Sequence, residues 1–226
     1  MMHNSILAVI LCAVISYLIG SINFSILLSK IIGGKDIRES GSGNAGATNM
    51  LRTYGKKLGV ITLLLDVLKG VIAILITLAV TAALVNETMT YFDMISYVSG
   101  VCVILGHNFP LYFGFKGGKG VATSLGVVLM LDWKVGLIVA VIAVAVMALT
   151  RYVSLGSIIG GFLYIVLGVI HKSMGLIRFS DGEMPYFAVQ IICVVIIGGL
   201  LIARHHANIK RLLSGTENKL GQKKKA

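Results

Sequence analysis

Residues 106–123, with the sequence GHNFPLYFGFKGGKGVAT, decide how the rest of the chain is interpreted. They separate two apolar runs, 94–105 and 121–131, so we expect this loop to lie at a membrane surface. Four glycines surround Lys116 and Lys119. Glycine lets main-chain N–H groups approach a ligand closely, and the lysines add positive charge. The loop is therefore typical of a phosphate-binding site.

Two observations bear on the interpretation of this loop as a phosphate-binding site. It is not a nucleotide P-loop, because Lys119 is followed by Gly120 instead of Ser or Thr, and Phe113 stands where a glycine is required. Glycines and lysines at a membrane edge also serve as turn residues and interface anchors. If a helix begins near Gly120, its N-terminus adds favourable partial charge for an anion.

The composition is that of a membrane protein. Of the 226 residues, 57% are hydrophobic and only 13% are charged, and the mean hydropathy is +0.93. The net charge of +11 arises from basic residues in the connections between apolar runs, which suits binding of anionic lipids and does not suggest a nucleic-acid partner. The three cysteines fall inside apolar runs without metal-ligand spacing, so we interpret them as packing residues and expect no metal.

The hydropathy pattern predicts an all-α polytopic membrane protein with about seven transmembrane helices. The alternative is five spans, with the loop at 106–123 and its flanks re-entrant. The first run has no preceding positive region and no cleavage site after it, so it is expected to be a retained span. The predicted segments are 5–29, 58–85, 94–105, 121–131, 135–149, 153–170 and 185–203.

The charged residues predict the orientation, with the N-terminus outside and the C-terminus cytoplasmic. Acidic residues concentrate on the outer side, where only Lys134, Lys172 and Arg178 are basic. The outer acidic residues are Glu87, Asp93, Asp132, Asp181 and Glu183. The inner basic residues are Lys30, Lys35, Arg38, Arg52, Lys56, Lys57, Lys116, Lys119, Arg151 and the tail from Arg204 onward. Three polar segments, 33–55, 106–123 and 204–217, then share the cytoplasmic face.

The first of these segments offers hydroxyls and amides on a permissive backbone. A helix near residues 45–48, capped by Ser42 or Asn44, would place Thr48 and Arg52 on one face. A phosphate at its start would then meet N–H groups, the Ser42 hydroxyl and the Arg52 guanidinium. Asn44, Asn49 and Arg52 are costly beside lipid without a partner. The alternative is a flexible linker with an N-cap.

Polar residues in two of the predicted spans have both a structural and a functional interpretation. Asp66 and Lys69 lie three residues apart within a span, and a brace for the cytoplasmic loops is favoured over catalysis. Ser157 is a candidate for contact with a substrate, although the neighbouring Gly156-x-x-x-Gly160 pattern predicts close helix packing.

In the tail, His205 and Asn208 share a helix face at the membrane edge. Histidine is the usual proton carrier near neutral pH, but it is also a common interface residue.

Three motifs on this face resemble those of the bacterial acyl-phosphate:glycerol-3-phosphate acyltransferases, the PlsY family. They are SGNAGATNMLR at 42–52, GHNFP at 106–110 with FKGGKGVAT at 115–123, and HxxNIKRL at 205–212 with GTE at 215–217. The resemblance covers nearly the whole chain, so residues 1–226 are expected to form a single integral-membrane acyltransferase domain.

The resemblance implies transfer of an acyl chain from acyl phosphate to the 1-hydroxyl of glycerol 3-phosphate. The products would be lysophosphatidic acid and inorganic phosphate, without coenzyme A, acyl carrier protein, metal or other cofactor. It also implies a place in the bacterial cytoplasmic membrane, with the active site at the cytoplasmic face. We expect the protein to be a monomer. The residues agree: there is no His-x-x-x-x-Asp pair, no nucleophile elbow and no cysteine placed for acyl-enzyme chemistry.

On this hypothesis the first two polar segments bind phosphate and the third orients the acceptor. Ser42, Arg52 and Lys119 bind phosphate and stabilise the leaving group, while His205 and Asn208 orient the acceptor. The general base is either His205 or a substrate phosphate oxygen, and we favour the phosphate. The further residues expected to bind substrate are Asn44, Thr48, Asn49, Lys116, Gly117, Gly118, Gly120 and Ser157.

Two other classes of protein fit the composition less well. An anion permease would carry polar residues through the depth of several spans, whereas only Asp66 and Lys69 are charged at depth here. A non-catalytic lipid-binding scaffold is the third possibility.

Overall fold

The computed structural model describes residues 2–176 and 184–221, and within them every regular element is helical. Six helical segments in this described part of the chain are long and apolar enough to cross a membrane, and Val121–Leu131 is a shorter apolar helix. The predicted all-α membrane architecture is therefore confirmed. The helices are α1 Met2–Ser21, α2 Phe24–Gly33, α3 Ala47–Tyr54, α4 Lys56–Leu84, α5 Met89–Asn108, α6 Val121–Leu131, α7 Trp133–Thr150, α8 Val153–Leu176, α9 Met184–Ala203 and α10 His206–Leu213.

Three spans differ from the hydropathy segments, and one of them, α8, extends to Leu176 where the predicted segment ends at residue 170. The first span, predicted to be continuous, breaks at Ile22, and Asn23 caps α2 by accepting a hydrogen bond from Ile26 N at 3.1 Å. The third span begins earlier than predicted, at Met89, because Thr88 caps it and its first turns are more polar than lipid-facing helix. Arg178, Asp181 and Glu183 of the charge argument lie outside the described residues.

The α5 helix forms the centre of the bundle. It packs against α1, α4, α6 and α9, and its Tyr97, Val103 and Ile104 are buried in the main apolar core. The α7 helix instead exposes apolar side chains such as Val141 and Val144, as expected where a surface faces lipid. Gly156 of α8 lies against Ala143 and Met147 of α7, so the predicted packing role of this glycine holds.

The end of the bundle opposite the loop at 106–123 contains a buried carboxylate. Asp132, between α6 and α7, accepts hydrogen bonds from the hydroxyls of Tyr97 and Tyr164. Lys172 Nζ and His171 Nδ1 lie 3.3 and 3.1 Å from its Oδ1. This cluster ties α5, α6 and α8 together, and paired burial of this kind offsets the cost of removing the carboxylate from water.

Candidate functional site

The three polar segments meet around one cavity of about 670 Å³, between α3, α4, α6, α8 and the region that follows α9. Lys116 and Gly118 are the two predicted site residues that do not line it. The predicted residues that do line it are Ser42, Asn44, Thr48, Asn49, Arg52, Gly117, Lys119, Gly120, Ser157, His205 and Asn208. The structure thus gathers residues from distant parts of the sequence, as the hypothesis of a common pocket requires.

The glycine loop is built against the C-terminal end of α5. Gly117 N donates to Asn108 O, and Gly118 N donates to His107 O, each at 3.2 Å. Gly120 has φ of 81°, a conformation that favours glycine, and α6 begins directly after it. The helix start expected near Gly120 is therefore present.

Arg38 holds the same loop from the other side. Its Nη1 donates to Phe113 O at 2.8 Å and to Lys116 O at 2.9 Å, while Asp36 pairs with the remaining nitrogens. Its partner Asp36 has a lowered pKa, chiefly because of the hydrogen bond from Arg38. From the sequence, Arg38 was expected only to be one of the inner basic residues, and this contact with the loop was not predicted.

The segment before α3 differs from the predicted arrangement. The N-cap of α3 is Gly46, with no side-chain cap, so the expectation that Ser42 or Asn44 caps this helix is wrong. Asn49 explains the difference, because it crosslinks the segment: its Oδ1 accepts from Ser42 N at 2.9 Å, and its Nδ2 donates to Ile37 O and Ser40 O. The loop is thereby folded back on α3 instead of entering it directly.

A polar network connects the glycine loop to the tail. Lys119 Nζ donates to Asn208 Oδ1 at 2.5 Å, and Asn208 Nδ2 donates to Glu217 Oε1 at 2.7 Å. Glu217 also accepts from Ser154 Oγ at 2.8 Å and from Arg211 Nε at 2.6 Å. The amide of Asn208 therefore has a fixed orientation, and Lys119 is held at the cavity wall.

Burial and hydrogen bonding shift the pKa values of Lys119, Glu217 and the neighbouring His205. Burial lowers the pKa of Lys119 to about 8, although Glu217 opposes the shift. It lowers the pKa of His205 to about 4, with a further contribution from the Lys119 charge. Burial alone would raise the pKa of Glu217, but the hydrogen bonds from Asn208, Arg211 and Ser154 outweigh it and the pKa falls. At neutral pH the cavity thus holds a neutral His205, a charged Lys119 and an ionised Glu217.

The charge balance of the cavity favours an anion. Arg52, Lys119, Arg204 and Arg211 line it, against Asp66 and Glu217. Asp66 is already paired with Lys69, which lies 2.7 Å away. Arg204 also donates to Gly118 O at 3.0 Å, so it is tied to the glycine loop. Arg211 is paired with Glu217, and the positive charges of Arg52, Lys119 and Arg204 remain to bind more than one phosphate group.

An apolar groove adjoins the polar cavity. It runs between α6, α7 and α8, past Gly160 as far as Tyr164. Val121, Met147 and Ser157 line both the groove and the cavity. A molecule with an anionic head and a hydrocarbon tail therefore has continuous lining for both parts.

Several site residues were not assigned from the sequence. Glu217 stood within a recognised motif, and its ionisable side chain beside Arg211 and Asn208 was a usable signal. Ser154, three residues before the candidate Ser157, was not assigned a role either. Arg38 and Arg204 bond to backbone carbonyl oxygens, and such partners leave no pattern in the sequence.

A family model and individual relatives of known name all match this chain to the same family. A model of the family described as glycerol-3-phosphate acyltransferase matches residues 10–215. The chain is 42% identical over 219 residues to the glycerol-3-phosphate acyltransferase of Clostridioides difficile, covering 97% of this chain and 98% of the relative. It is 45% identical over 215 residues to that of Thermoanaerobacter pseudethanolicus, covering 95% and 96%.

Solved structures are similar as well. The chain is 34% identical to PlsY (YgiH), an integral membrane glycerol 3-phosphate acyltransferase, in its glycerol 3-phosphate form. The TM-score is 0.77, covering 94% of this chain and 96% of the other. The lysophosphatidic acid form of that protein gives a TM-score of 0.73 at the same identity, covering 94% and 95%.

Proposed function

Because the chain belongs to the glycerol-3-phosphate acyltransferase family, we propose that it transfers an acyl chain from acyl phosphate to the 1-hydroxyl of glycerol 3-phosphate. The observation that carries this proposal is the junction between the cationic cavity and the apolar groove at Val121, Met147 and Ser157. A donor with a phosphate head and a hydrocarbon tail matches this junction, and the cavity has charge left for the phosphate of the acceptor.

The reaction balances without a covalent enzyme intermediate. The oxygen of the 1-hydroxyl attacks the acyl carbon, the bond from that carbon to the phosphate oxygen breaks, and the hydroxyl proton passes to phosphate. The products are lysophosphatidic acid and inorganic phosphate. Since the donor is an activated mixed anhydride, holding both reactants in near-attack geometry supplies up to about 7–11 kcal/mol in favourable cases.

We assign Ser42, Arg52 and Lys119 to the donor phosphate, where negative charge develops as the acyl bond breaks. Asn208 and His205 orient the acceptor. His205 Nδ1 donates to Leu201 O at 2.7 Å, because a carbonyl only accepts, and this leaves Nε2 available to a hydroxyl.

A substrate phosphate oxygen is the stronger candidate for the base. The pKa of His205 is about 4, whereas a phosphate monoester has a second pKa of about 6. The phosphate thus accepts the hydroxyl proton more readily than the buried imidazole does. We further propose that the cavity faces the cytoplasm and that the protein acts as a monomer in the cytoplasmic membrane.

Turnover by the purified protein tests the donor. Palmitoyl phosphate and glycerol 3-phosphate are incubated with the enzyme, and phosphate release and the acylated product are measured together. Palmitoyl-coenzyme A and palmitoyl-acyl carrier protein serve as matched donors, and Arg52→Ala as the inactive control. Turnover with the acyl phosphate alone supports the proposal, whereas equal turnover with coenzyme A ester, or acylation of the 2-hydroxyl, refutes it.

A further inference from the structure

Three polar side chains meet within the membrane beneath the cavity. The ammonium of Lys69 lies 2.7 Å from Asp66 Oδ1, and its hydrogen-bonding distances to His107 Nδ1 and Ile22 O are 2.8 and 2.9 Å. Lys69, Asp66 and His107 are all at most 3% exposed. We call them the buried triad.

The partners of Lys69 determine the state of the histidine ring. Nδ1 of His107 lies 2.8 Å from the Lys69 ammonium and 3.5 Å from Asp66 Oδ1. The nearer partner is the ammonium, which only donates, so Nδ1 accepts and the ring proton lies on Nε2. Burial of this many polar groups is costly even when they are paired, and simple packing does not require it. The arrangement therefore calls for an explanation beyond stability.

One arm of the triad reaches the segment at 42–48. Lys69 bonds to Ile22 O, in the break between α1 and α2. The next residue, Asn23, donates from Nδ2 to Ala45 O at 3.5 Å. The position of Ala45, and of Ser42 close to it in the chain, is thus connected to Lys69.

The other arm supports the glycine loop. A Cβ atom on Gly118 would collide with the His107 ring and with Ala45 O, so the glycine rests directly on both groups. Gly118 N also donates to His107 O. Lys119 follows immediately in the chain, and its main-chain position depends on this support.

We propose that the buried triad is a positioning unit that sets the spacing between the two phosphate-binding segments. Both segments converge on it, through Ala45 on one side and Gly118 on the other, and Asp66 and His107 line the floor of the cavity between them. None of the three residues takes part in the bond changes. The inference rests on the proposed function, because it assumes that these segments hold the substrates.

The main test separates positioning from stability by removing both charges at once. Asp66→Asn combined with Lys69→Met leaves no unpaired buried charge, so this variant is expected to fold and to keep its melting temperature near that of the wild type. Its affinity for glycerol 3-phosphate, measured by calorimetry in detergent, is expected to fall about tenfold or more, and kcat/KM about 10–100-fold. Wild-type binding and turnover in the folded double variant would overturn the proposal.

Thr77→Val is the matched control on the same helix. Thr77 is buried in α4 and its hydroxyl donates to Ala73 O, at a distance from the cavity. Its removal is expected to leave binding and turnover unchanged, and an equal loss in this control would show that any disturbance of α4 is sufficient, against the proposal.

A second pair of variants addresses the His107–Lys69 bond. His107→Asn keeps an acceptor near the position of Nδ1, whereas His107→Leu keeps apolar volume without an acceptor. Asparagine is expected to retain more glycerol 3-phosphate binding than leucine, and equal losses would contradict the proposal.

A different measurement, phosphate release by the wild-type protein, tests the proposed function. A wild-type protein that binds glycerol 3-phosphate but does not release phosphate from palmitoyl phosphate would exclude the acyl donor. The binding measurements on the triad variants would still decide the inference.

Discussion

The ammonium of Lys119 and the side-chain oxygen of Asn208 lie 2.5 Å apart, although 89 residues separate them in the chain. The nitrogen of the same amide, Nδ2, donates a hydrogen bond to Glu217. Lys119, Asn208 and Glu217 therefore form one chain of alternating donors and acceptors, and each member fixes the orientation of the next.

Asn208→Asp is expected to lower kcat/KM by about tenfold or more. The substitution replaces the donor that faces Glu217 with a carboxylate oxygen, and the like charges repel. Asn208→Asp combined with Glu217→Gln restores a donor opposite an acceptor and is expected to recover part of the activity. Steady-state kinetics of both variants check this, and a double variant no better than the single one would contradict it.

The value of kcat/KM is expected to fall as the pH rises above about 8. Burial lowers the pKa of Lys119 to about 8, so its cation is lost as the pH rises through that value, and kcat/KM reports the free enzyme. Lys119→Arg keeps its charge throughout this range, so the fall near pH 8 should disappear. Persistence of the fall in Lys119→Arg would assign it to another group.

His205→Gln is expected to raise KM for glycerol 3-phosphate while changing kcat by less than about threefold. With a pKa of about 4, His205 is neutral at the operating pH and acts by orienting the acceptor, and glutamine places an acceptor near the position of Nε2. Kinetics at saturating donor give both constants. A fall in kcat of about 100-fold, with KM unchanged, would indicate that His205 is the general base.

Sequence patterns predicted most of the membrane architecture because lipid imposes a simple rule on each span. Every backbone polar group must be satisfied inside a helix, so apolar length alone locates α4, α7 and α9 within a few residues. The break at residues 22 and 23 was not predicted. Asn23 caps α2 there, and the carbonyl oxygen of Ile22 accepts a hydrogen bond from Lys69, a tertiary contact that leaves no pattern in the sequence.

The sequence predicted which motifs form the site, but it did not predict the hydrogen bonds between their residues. Ser42, Lys119 and Asn208 all line one cavity, as their shared membrane face suggested. Asn49, by contrast, serves as a crosslink for Ser42 N, Ile37 O and Ser40 O. Which amide meets which carbonyl depends on the folded backbone, and residue type and spacing carry no information about it.

The orientation of the bundle is a prediction that cysteine labelling can check. Lys57 in the first turn of α4 and Glu87 in the connection that follows α4 are both exposed, and they lie on opposite sides of this span. On intact cells, a membrane-impermeant thiol reagent is expected to label Glu87→Cys but not Lys57→Cys until the cells are opened. The reverse pattern would place the cavity on the outer face.

Gly160→Val is expected to shift the preference of the enzyme toward shorter acyl chains. Gly160 lines the apolar groove, and a Cβ atom there would lie 3.4 Å from Ala143 Cβ and 3.6 Å from Val139 Cγ1. The first carbon thus fits at ordinary contact distance, but the two methyl groups of valine occupy the groove beyond Ser157 and shorten the space for a tail.

Gly199→Val is the matched control, because a Cβ atom on Gly199 has no neighbour within 4 Å and the residue does not line the groove. The ratio of kcat/KM for decanoyl phosphate to that for palmitoyl phosphate is measured in each protein. An increase of about tenfold in Gly160→Val, with an unchanged ratio in Gly199→Val, is expected if the tail lies between α7 and α8. Equal ratios in all three proteins would place the acyl chain elsewhere on the lipid-facing surface.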